Sequence, residues 1–502
     1  MLRQIVHILF AFMKKNIHFS GIAGAGMSAL AQMAAGGPYE VTGSDRDFDR
    51  GQKQLLRRQL ENLGIRICAQ DGSAISASTV RLVVSTAIED TSPEIAMARR
   101  YGVPVAHRSE VLAEYVNGSD SIVVSGTSGK STVAAMLYCI LEHAGLQPSI
   151  ITGGSLLQLM KRGLAGNAFK GKSDILVVEG DESDGSLVRY KPKKGLALNI
   201  TKDHKSIDEL KKIFLAFKDN CIGGKDIACD ATGCGNAECS AENAESETKD
   251  GMFAWNYDDK VCREIFSSLP QDSCLKGGKG CMRPFGKEKD LFCLSDVELK
   301  PFSSSFMLRG VKFSLPVPGN YNIYNAIAAC AGAEMYGVSL EKAAEALKGF
   351  AGVDRRFVLI GEKNGIKVVD DFAHNPAKLA AVISALHGAG RRVFAVYQPH
   401  GFAPTRNLRA ELVQSLASSL FKEDFLFMPE IYYAGGTVNK TISSADIVND
   451  VRQAGKNAEF FPDRAGIPAA IAAKARPGDI VGVMGARDST LTDLARAIAA
   501  AL

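Results

Sequence analysis

The chain has 502 residues, 46% hydrophobic and 23% charged, with a formal net charge of +4. That length exceeds what one hydrophobic core supports and points to about three domains. The small charge gives no footprint for nucleic acid, and no apolar run approaches the ~20 residues of a membrane span. The opening MLRQIVHILFAFMKK has a short apolar centre without a small-residue cleavage pattern, so an uncleaved extension of a cytoplasmic protein is expected. Eight of the eleven cysteines fall between Cys221 and Cys293 without a CxxC pair. Free thiols are therefore expected in preference to a zinc site.

The first segment, 1–118, begins with a strand around Ile17–Phe19 that runs into Gly21, Gly24 and Gly26 and then a helix. A second strand ends in Asp45, about twenty residues beyond the glycines, where an acid reaches a ribose or base in a nucleotide-binding βαβ unit. The glycine order G-x-x-G-x-G departs from the dinucleotide pattern, and a ligand-free glycine turn is the plainer alternative. Strand-like runs follow at 65–68 and 81–88, and Asn117-Gly118-Ser119-Asp120 makes a linker.

The second segment, 119–350, opens with VVSGTSGKST, residues 123–132: an apolar strand, a glycine loop, and then a helical pattern. Backbone N–H groups of such a loop and the helix N-terminus cradle polyphosphate. Lys130 is placed for the β- and γ-oxygens and Ser131 for Mg²⁺, although the first glycine lies one residue closer than in GxxxxGK[ST]. A further buried strand, DILVVEGDESD, ends in Glu179, Asp181, Glu182 and Asp184, and carboxylates there suit a hard cation. GLALNITKDH places Asn199, Asp203 and His204 after the next strand. Residues 221–250, rich in small and acidic types and without apolar periodicity, read as a surface insertion. In PGNYNIYNA, Asn322 and Asn325 stand three apart on one helical face.

The third segment, 351–502, alternates strand and helix regularly and predicts a mostly parallel sheet. Polar groups gather where its strands end: Asp370, Asp371 and His374, then Gln398 and His400, then Arg487 and Asp488. Ligands of open α/β sheets sit at that edge. The fold class is thus α/β in three domains: an N-terminal Rossmann-like domain, a central P-loop domain and a C-terminal Rossmann-like domain.

IHFSGIAGAGMSALA, VTGSD, VVSGTSGKST, GDESD, KDH, PGNYNIYNA, DRRF, DDFAHNP and YQPHGFAPTR occur in one order from about Ile17 to Leu502. Together they resemble the Mur ligase family, the ATP-dependent amide-forming enzymes of peptidoglycan precursor synthesis. The resemblance implies ATP and Mg²⁺ as cofactors, UDP-N-acetylmuramate as substrate, and an amino acid (L-alanine first) or short peptide as acceptor. It implies a monomer or homodimer without nucleic-acid partners. It assigns Lys130, Glu182, His204, Asp371 and His374 to catalysis, and Ser131, Glu182 and His204 to the metal. Gly126, Thr127, Ser128, Gly129, Lys130, Ser131, Thr132, Asn322, Asn325 and Arg356 would bind ATP. Gly24, Ala25, Gly26, Met27, Ser28, Asp45, Ser85, Thr86 and Ala87 would hold the UDP moiety, and His374, His400 and Arg406 the acceptor. The chain departs from the family pattern at Tyr321, Phe372 and Asn375, and has Gly401 and Pro404 where two arginines are usual. A ligase for a different amine is the alternative; a non-catalytic nucleotide-binding scaffold is the remaining one.

Overall fold

The computed structural model describes residues 15–183, 185–201, 205–222, 251–267, 281–286, 292–433 and 440–502. His204 and nearly all of the small-residue insertion lie outside these. Three α/β sheets carry the chain. The first has five strands, β1 (Asn16–Ser20), β2 (Glu40–Ser44), β3 (Arg66–Cys68), β4 (Thr79–Val84) and β5 (Val105–His107), in the order β3-β2-β1-β4-β5. All its pairings are parallel. The chain moves to one side of β1 and then returns to the other, so β1 and β4 flank a switch point where a crevice opens.

The second sheet comprises β6 (Asp120–Ser125), β7 (Ser149–Ile151), β8 (Ala168–Phe169), β9 (Ile175–Gly180), β10 (Lys194–Ala197), β11 (Met252–Asn256) and β12 (Cys281–Phe285). Their order is β12-β11-β10-β6-β9-β7-β8, with only β7–β8 antiparallel among the pairings described. β6 is central, and its residues Ile122, Val123 and Val124 are fully buried, as expected of a strand covered on both faces.

A three-stranded sheet, β13 (Leu294–Lys300), β14 (Ser303–Leu308) and β15 (Val311–Leu315), precedes the third α/β sheet. The third has β16 (Val358–Lys363), β17 (Ile366–Asp371), β18 (Val393–Tyr397), β19 (Phe425–Pro429), β20 (Asn457–Phe461) and β21 (Ile480–Met484). The order is β16-β17-β21-β18-β19-β20, antiparallel only at the β16 edge.

The chain groups into two compact units. The first is 1–296, 306–313 and 321–351; the second is 297–305, 314–320 and 352–502. The first two sheets share a unit because one apolar core runs from Ile17, Phe19 and Met27 through Val123 and Val178 to Phe253 and Trp255. Polar contacts add to that joint. Asn167 donates to the Ala25 carbonyl at 2.7 Å and to Ser28 Oγ at 2.9 Å, while Gln32 Nε2 donates to Asn167 Oδ1 at 2.9 Å. The insertion also begins later than expected. The helix Ile207–Ile222 continues through Cys221, whose thiol is buried against Gly195 in β10 because that helix face completes the core.

Candidate functional site

In the first unit, β6 delivers Ser125 to a loop that only glycine can shape at two points. Gly126 has φ +151°, and a Cβ there would lie 2.9 Å from Leu198 Cβ and 3.1 Å from Asn199 N. Gly129 has φ +89° and starts the helix Lys130–His143; its Cβ would meet Asn325 Oδ1 at 2.6 Å. Both backbones occupy conformations that favour glycine, and both approach neighbours too closely for a side chain.

The neighbouring strand end holds the loop in place. Thr127 N donates to Asn199 O at 3.0 Å, Ser128 N to Asn199 Oδ1 at 2.8 Å, and Asn199 Nδ2 back to Ser128 O at 2.9 Å. Thr127 Oγ1 donates to Thr201 O at 3.1 Å. Asn325 Nδ2 donates to Asn322 Oδ1 at 3.1 Å, so the expected asparagine pair exists and Asn325 abuts the loop. Thr132 occupies the first turn of the helix.

The acids after β9 meet the loop from the other side. Lys130 Nζ lies 2.7 Å from Glu182 Oε2 and 3.9 Å from Asp181 Oδ1. Burial pushes the Glu182 carboxyl up despite Lys130 beside it. Burial acts the same way on Asp181, but the Ser183 backbone N–H, Lys130, the Ser183 hydroxyl and Arg108 together hold its carboxyl below the ordinary value. Ser131 Oγ donates to Glu179 Oε1 at 2.9 Å, and Glu179 Oε2 accepts from Thr152 Oγ1 and Gly153 N, each at 2.7 Å. Glu179 is therefore the acid nearest the loop hydroxyl, a role that its place within the strand hides in the sequence. Among the described residues, no three acids, histidines or cysteines converge as a metal cluster. The oxygen donors Ser131, Glu179 and Glu182 suit a hard cation completed by phosphate oxygens and water.

At the switch point of the first sheet lies an open cleft of about 320 Å³. Gly24, Ala25, Gly26, Met27, Asp45, Ser85 and Ala87 line it, together with Lys53, Gln70 and Arg108. Ser28 and Thr86 are not in the lining. Ser28 is buried and serves the Asn167 joint, because the first turn of its helix rolls it towards β8. Asp45 is already engaged: Oδ2 accepts from Ala23 N and Oδ1 from Asp47 N, both at 2.9 Å. It braces the glycine turn and caps the short helix after it. Lys53 and Arg108 carry no glycine-like spacing signal, and only the fold reveals them.

In the second unit, Asp371 ends β17 and is buried. Its Oδ2 accepts from Phe357 N at 2.8 Å and its Oδ1 from Ala373 N at 2.7 Å. Burial nevertheless raises its carboxyl to about 6. Arg355 and Phe357 adopt left-handed backbones, φ +55° and +52°, on either side of Arg356. Such strain persists only where surroundings over-determine it. Here Arg355 is buried and donates to Asp488 O at 3.0 Å and Gly485 O at 2.6 Å, while Asp371 holds Phe357. Arg356 lies 5.1 Å from the Phe372 ring centroid.

His374 Nδ1 contacts Phe372 O at 2.9 Å, and its ring stands edge-on to His400 at 5.6 Å. Burial, with Lys378 nearby, lowers the His374 imidazole to about 4; burial and Arg487 lower His400. Both are neutral at pH 7. His400 Nδ1 and Gln398 Oε1 are buried without a hydrogen-bond partner among the described residues. Arg406 is exposed and donates to Thr441 Oγ1 at 2.9 Å.

Residues 16–119 match the Mur ligase family catalytic domain, and residues 355–487 match the Mur ligase glutamate ligase domain. A protein of Streptomyces avermitilis named UDP-N-acetylmuramate–L-alanine ligase is 33% identical over 482 residues, covering 94% of this chain and 95% of that protein. The chain belongs to the Mur ligase family. A relative of the same name from Synechococcus is 33% identical over 497 residues, 95% of this chain and 94% of its own. Among solved structures, the UDP-N-acetylmuramate–alanine ligase of Thermotoga maritima superimposes with a TM-score of 0.73 at 24% identity, covering 96% of this chain and 98% of that one. A murein peptide ligase of Psychrobacter arcticus gives 0.63 at 19% identity, covering 97% and 98%. Both share the Mur ligase fold. No helix among the described residues is long and apolar enough to cross a membrane.

Proposed function

We propose that this Mur ligase joins L-alanine to the carboxylate of UDP-N-acetylmuramate, with cleavage of ATP to ADP and phosphate, in peptidoglycan precursor synthesis. One observation carries the reading: a lysine-bearing phosphate loop and a glycine-turn cleft share one unit, in a chain matched almost end to end by relatives of that name. The three-segment division at 118 and 350 and the cytoplasmic location belong to the same proposal.

The substrate carboxylate attacks the γ-phosphorus of ATP, and an acyl phosphate forms as ADP leaves. The amine of the amino acid then attacks the acyl carbon, and phosphate departs with the former carboxylate oxygen. Such chemistry needs positioning and charge neutralisation more than a protein nucleophile. Lys130 exchanges Glu182 for the phosphoryl oxygens, and the loop amides hold the β-phosphate. Ser131, Glu179 and Glu182 would hold Mg²⁺, which neutralises phosphate charge when bound; His204 is assigned there by resemblance alone. Gly24 to Met27, with Ser85 and Ala87, would receive the UDP end. Arg356, set by the strained turn, would meet nucleotide, while neutral His374 and His400 would face the acceptor.

A second reading, a peptide or other amine as acceptor, draws on Gly401 and Pro404 in the QPH segment. One assay separates them: phosphate release with UDP-N-acetylmuramate and ATP, screened over amino acids and short peptides. Stimulation by L-alanine above all others is expected. Stimulation only by a peptide establishes the second reading, and no stimulation by any amine overturns both.

A further inference from the structure

A strained turn in the middle of the third sheet's polar edge presents one arginine. β21 lies between β17 and β18, and its last residue, Met484, is paired with Asp371 on one side and Tyr397 on the other. The residues after it therefore emerge between the loop that carries His374 and the loop 398–400. The approach is close on the β18 side: Gln398 N donates to Met484 O at 3.0 Å, and a Cβ on Gly485 would lie 2.8 Å from Gln398 O. Two residues on, Arg487 has φ +65°, and Asp488 N donates back to Ala486 O at 2.7 Å. An i to i+2 hydrogen bond around a positive φ is the rarer, strained form of γ-turn, in a region that favours glycine. The surroundings impose it. Arg355 donates to the carbonyls on both sides, Gly485 O at 2.6 Å and Asp488 O at 3.0 Å. Asp488 is held in turn: Oδ1 accepts from Thr490 N at 2.9 Å and Oδ2 from Arg464 Nη1 at 2.7 Å.

Strain that is over-determined in this way points to a task for the residue that bears it. Arg487 is exposed, and its guanidinium makes no hydrogen bond or ion pair among the described residues. Arg355 is taken up by the brace, and Arg406 donates to Thr441 Oγ1. Beside the turn, buried Gln398 donates from Nε2 to Glu430 O at 3.1 Å, which leaves its Oε1 as an acceptor without a partner among the described residues. A free cation next to a free neutral acceptor complements a molecule that carries both a carboxylate and an amine. The second step of the reaction brings such a molecule, with its own negative charge, to an acyl phosphate that is also anionic. A planar guanidinium holds a carboxylate through two parallel hydrogen bonds. We infer that Arg487 grips the carboxylate of the incoming amino acid, while the amine lies towards Gln398 and His400. This deepens the acceptor reading of the edge and rests on it.

The test compares L-alanine with L-alaninamide, which lacks the carboxylate, by steady-state phosphate release in wild type, Arg487→Gln and Arg487→Gly. Both variants should raise KM for L-alanine by roughly 10- to 100-fold, with kcat changed by less than about threefold. All three proteins should use L-alaninamide equally, so that the wild-type preference for the acid disappears in the variants. Arg487→Gly should also match or exceed the wild-type Tm, because glycine adopts the turn without strain. Loss of carboxylate recognition in a protein of undiminished stability is a result that a merely structural arginine would not give. Arg487→Gln with the wild-type preference for L-alanine over the amide would overturn the grip and leave the ligase reading standing, as would an equal loss with both substrates. Wild-type protein that no amino acid stimulates would overturn the acceptor reading, and this inference with it.

Discussion

The phosphate loop and the polar edge of the third sheet handle charge in opposite ways. Around the loop, charge is present and paired: Lys130 on Glu182 at 2.7 Å, with Asp181 held ionised beside it. At the edge of the third sheet positive charge is withheld from the imidazoles: burial keeps His374 and His400 neutral. The contrast fits the two tasks proposed for them. A site for a polyanion keeps its cation ready by pairing it with acids that a metal can take over. Neutral imidazoles at the edge proposed for the amine add no positive charge that would repel it.

The largest effect should come from the paired side. Lys130→Ala should reduce ATP-dependent phosphate release by roughly 10²–10³-fold or more, with circular dichroism showing a retained fold. Unchanged turnover would remove the loop from the mechanism. Gly129→Ala should be nearly as severe for a different reason. The φ of +89° and the Asn325 oxygen 2.6 Å from the new Cβ should lower stability by about 1–3 kcal/mol and weaken ATP binding. A variant of wild-type stability and affinity would mean that the loop tolerates a side chain.

The withheld side is tested by pH. Asp371 accepts fully from both backbone N–H groups only as the carboxylate, whose single charge is shared by its two oxygens, so activity should rise through about pH 6. Asp371→Asn should flatten that limb and lower turnover about tenfold or more, because one of the two N–H groups then faces an amide donor. His374→Gln should leave the limb in place, since His374 titrates near 4. Stability gives the matching signs. A raised carboxyl favours the protonated folded state, so its contribution is full below the ordinary Asp value of 3.8 and is lost as pH rises through 6. A lowered imidazole contributes above its ordinary 6.5 and loses that as pH falls towards 4. Over the same window the two variants should therefore tilt the unfolding free energy in opposite directions, each by at most about 3 kcal/mol. Parallel curves would mean that neither group is shifted.

The smallest effect belongs to Arg406. Being exposed with one hydrogen bond to Thr441, it should change stability by less than about 0.5 kcal/mol when replaced by alanine. A rise of a few-fold in KM for the amino acid would bring it into the acceptor site, and no change would take it out.

The comparison also marks where sequence is informative. The phosphate loop was legible because its chemistry is local: strand, two glycines, lysine and hydroxyl lie within ten residues, and backbone φ demands the glycines. The strand ends of the third segment were legible from alternation alone. What stayed hidden depends on long-range packing. Glu179 looks like a strand residue until Ser131 and Thr152 are seen on its two oxygens. Ser28 looks like part of the glycine cleft until Asn167, far along the chain, takes its hydroxyl. Arg355 and Arg356 are adjacent and alike in sequence, yet the first is a buried brace and the second is presented by it, because Asp488 and Gly485 carbonyls lie only on one side.

The claim that ATP activates a carboxylate can be tested by following oxygen. UDP-N-acetylmuramate labelled with ¹⁸O in its carboxylate, turned over with ATP and L-alanine, should transfer one label to each inorganic phosphate released. Phosphate free of label, with amide product formed, would contradict the acyl-phosphate account.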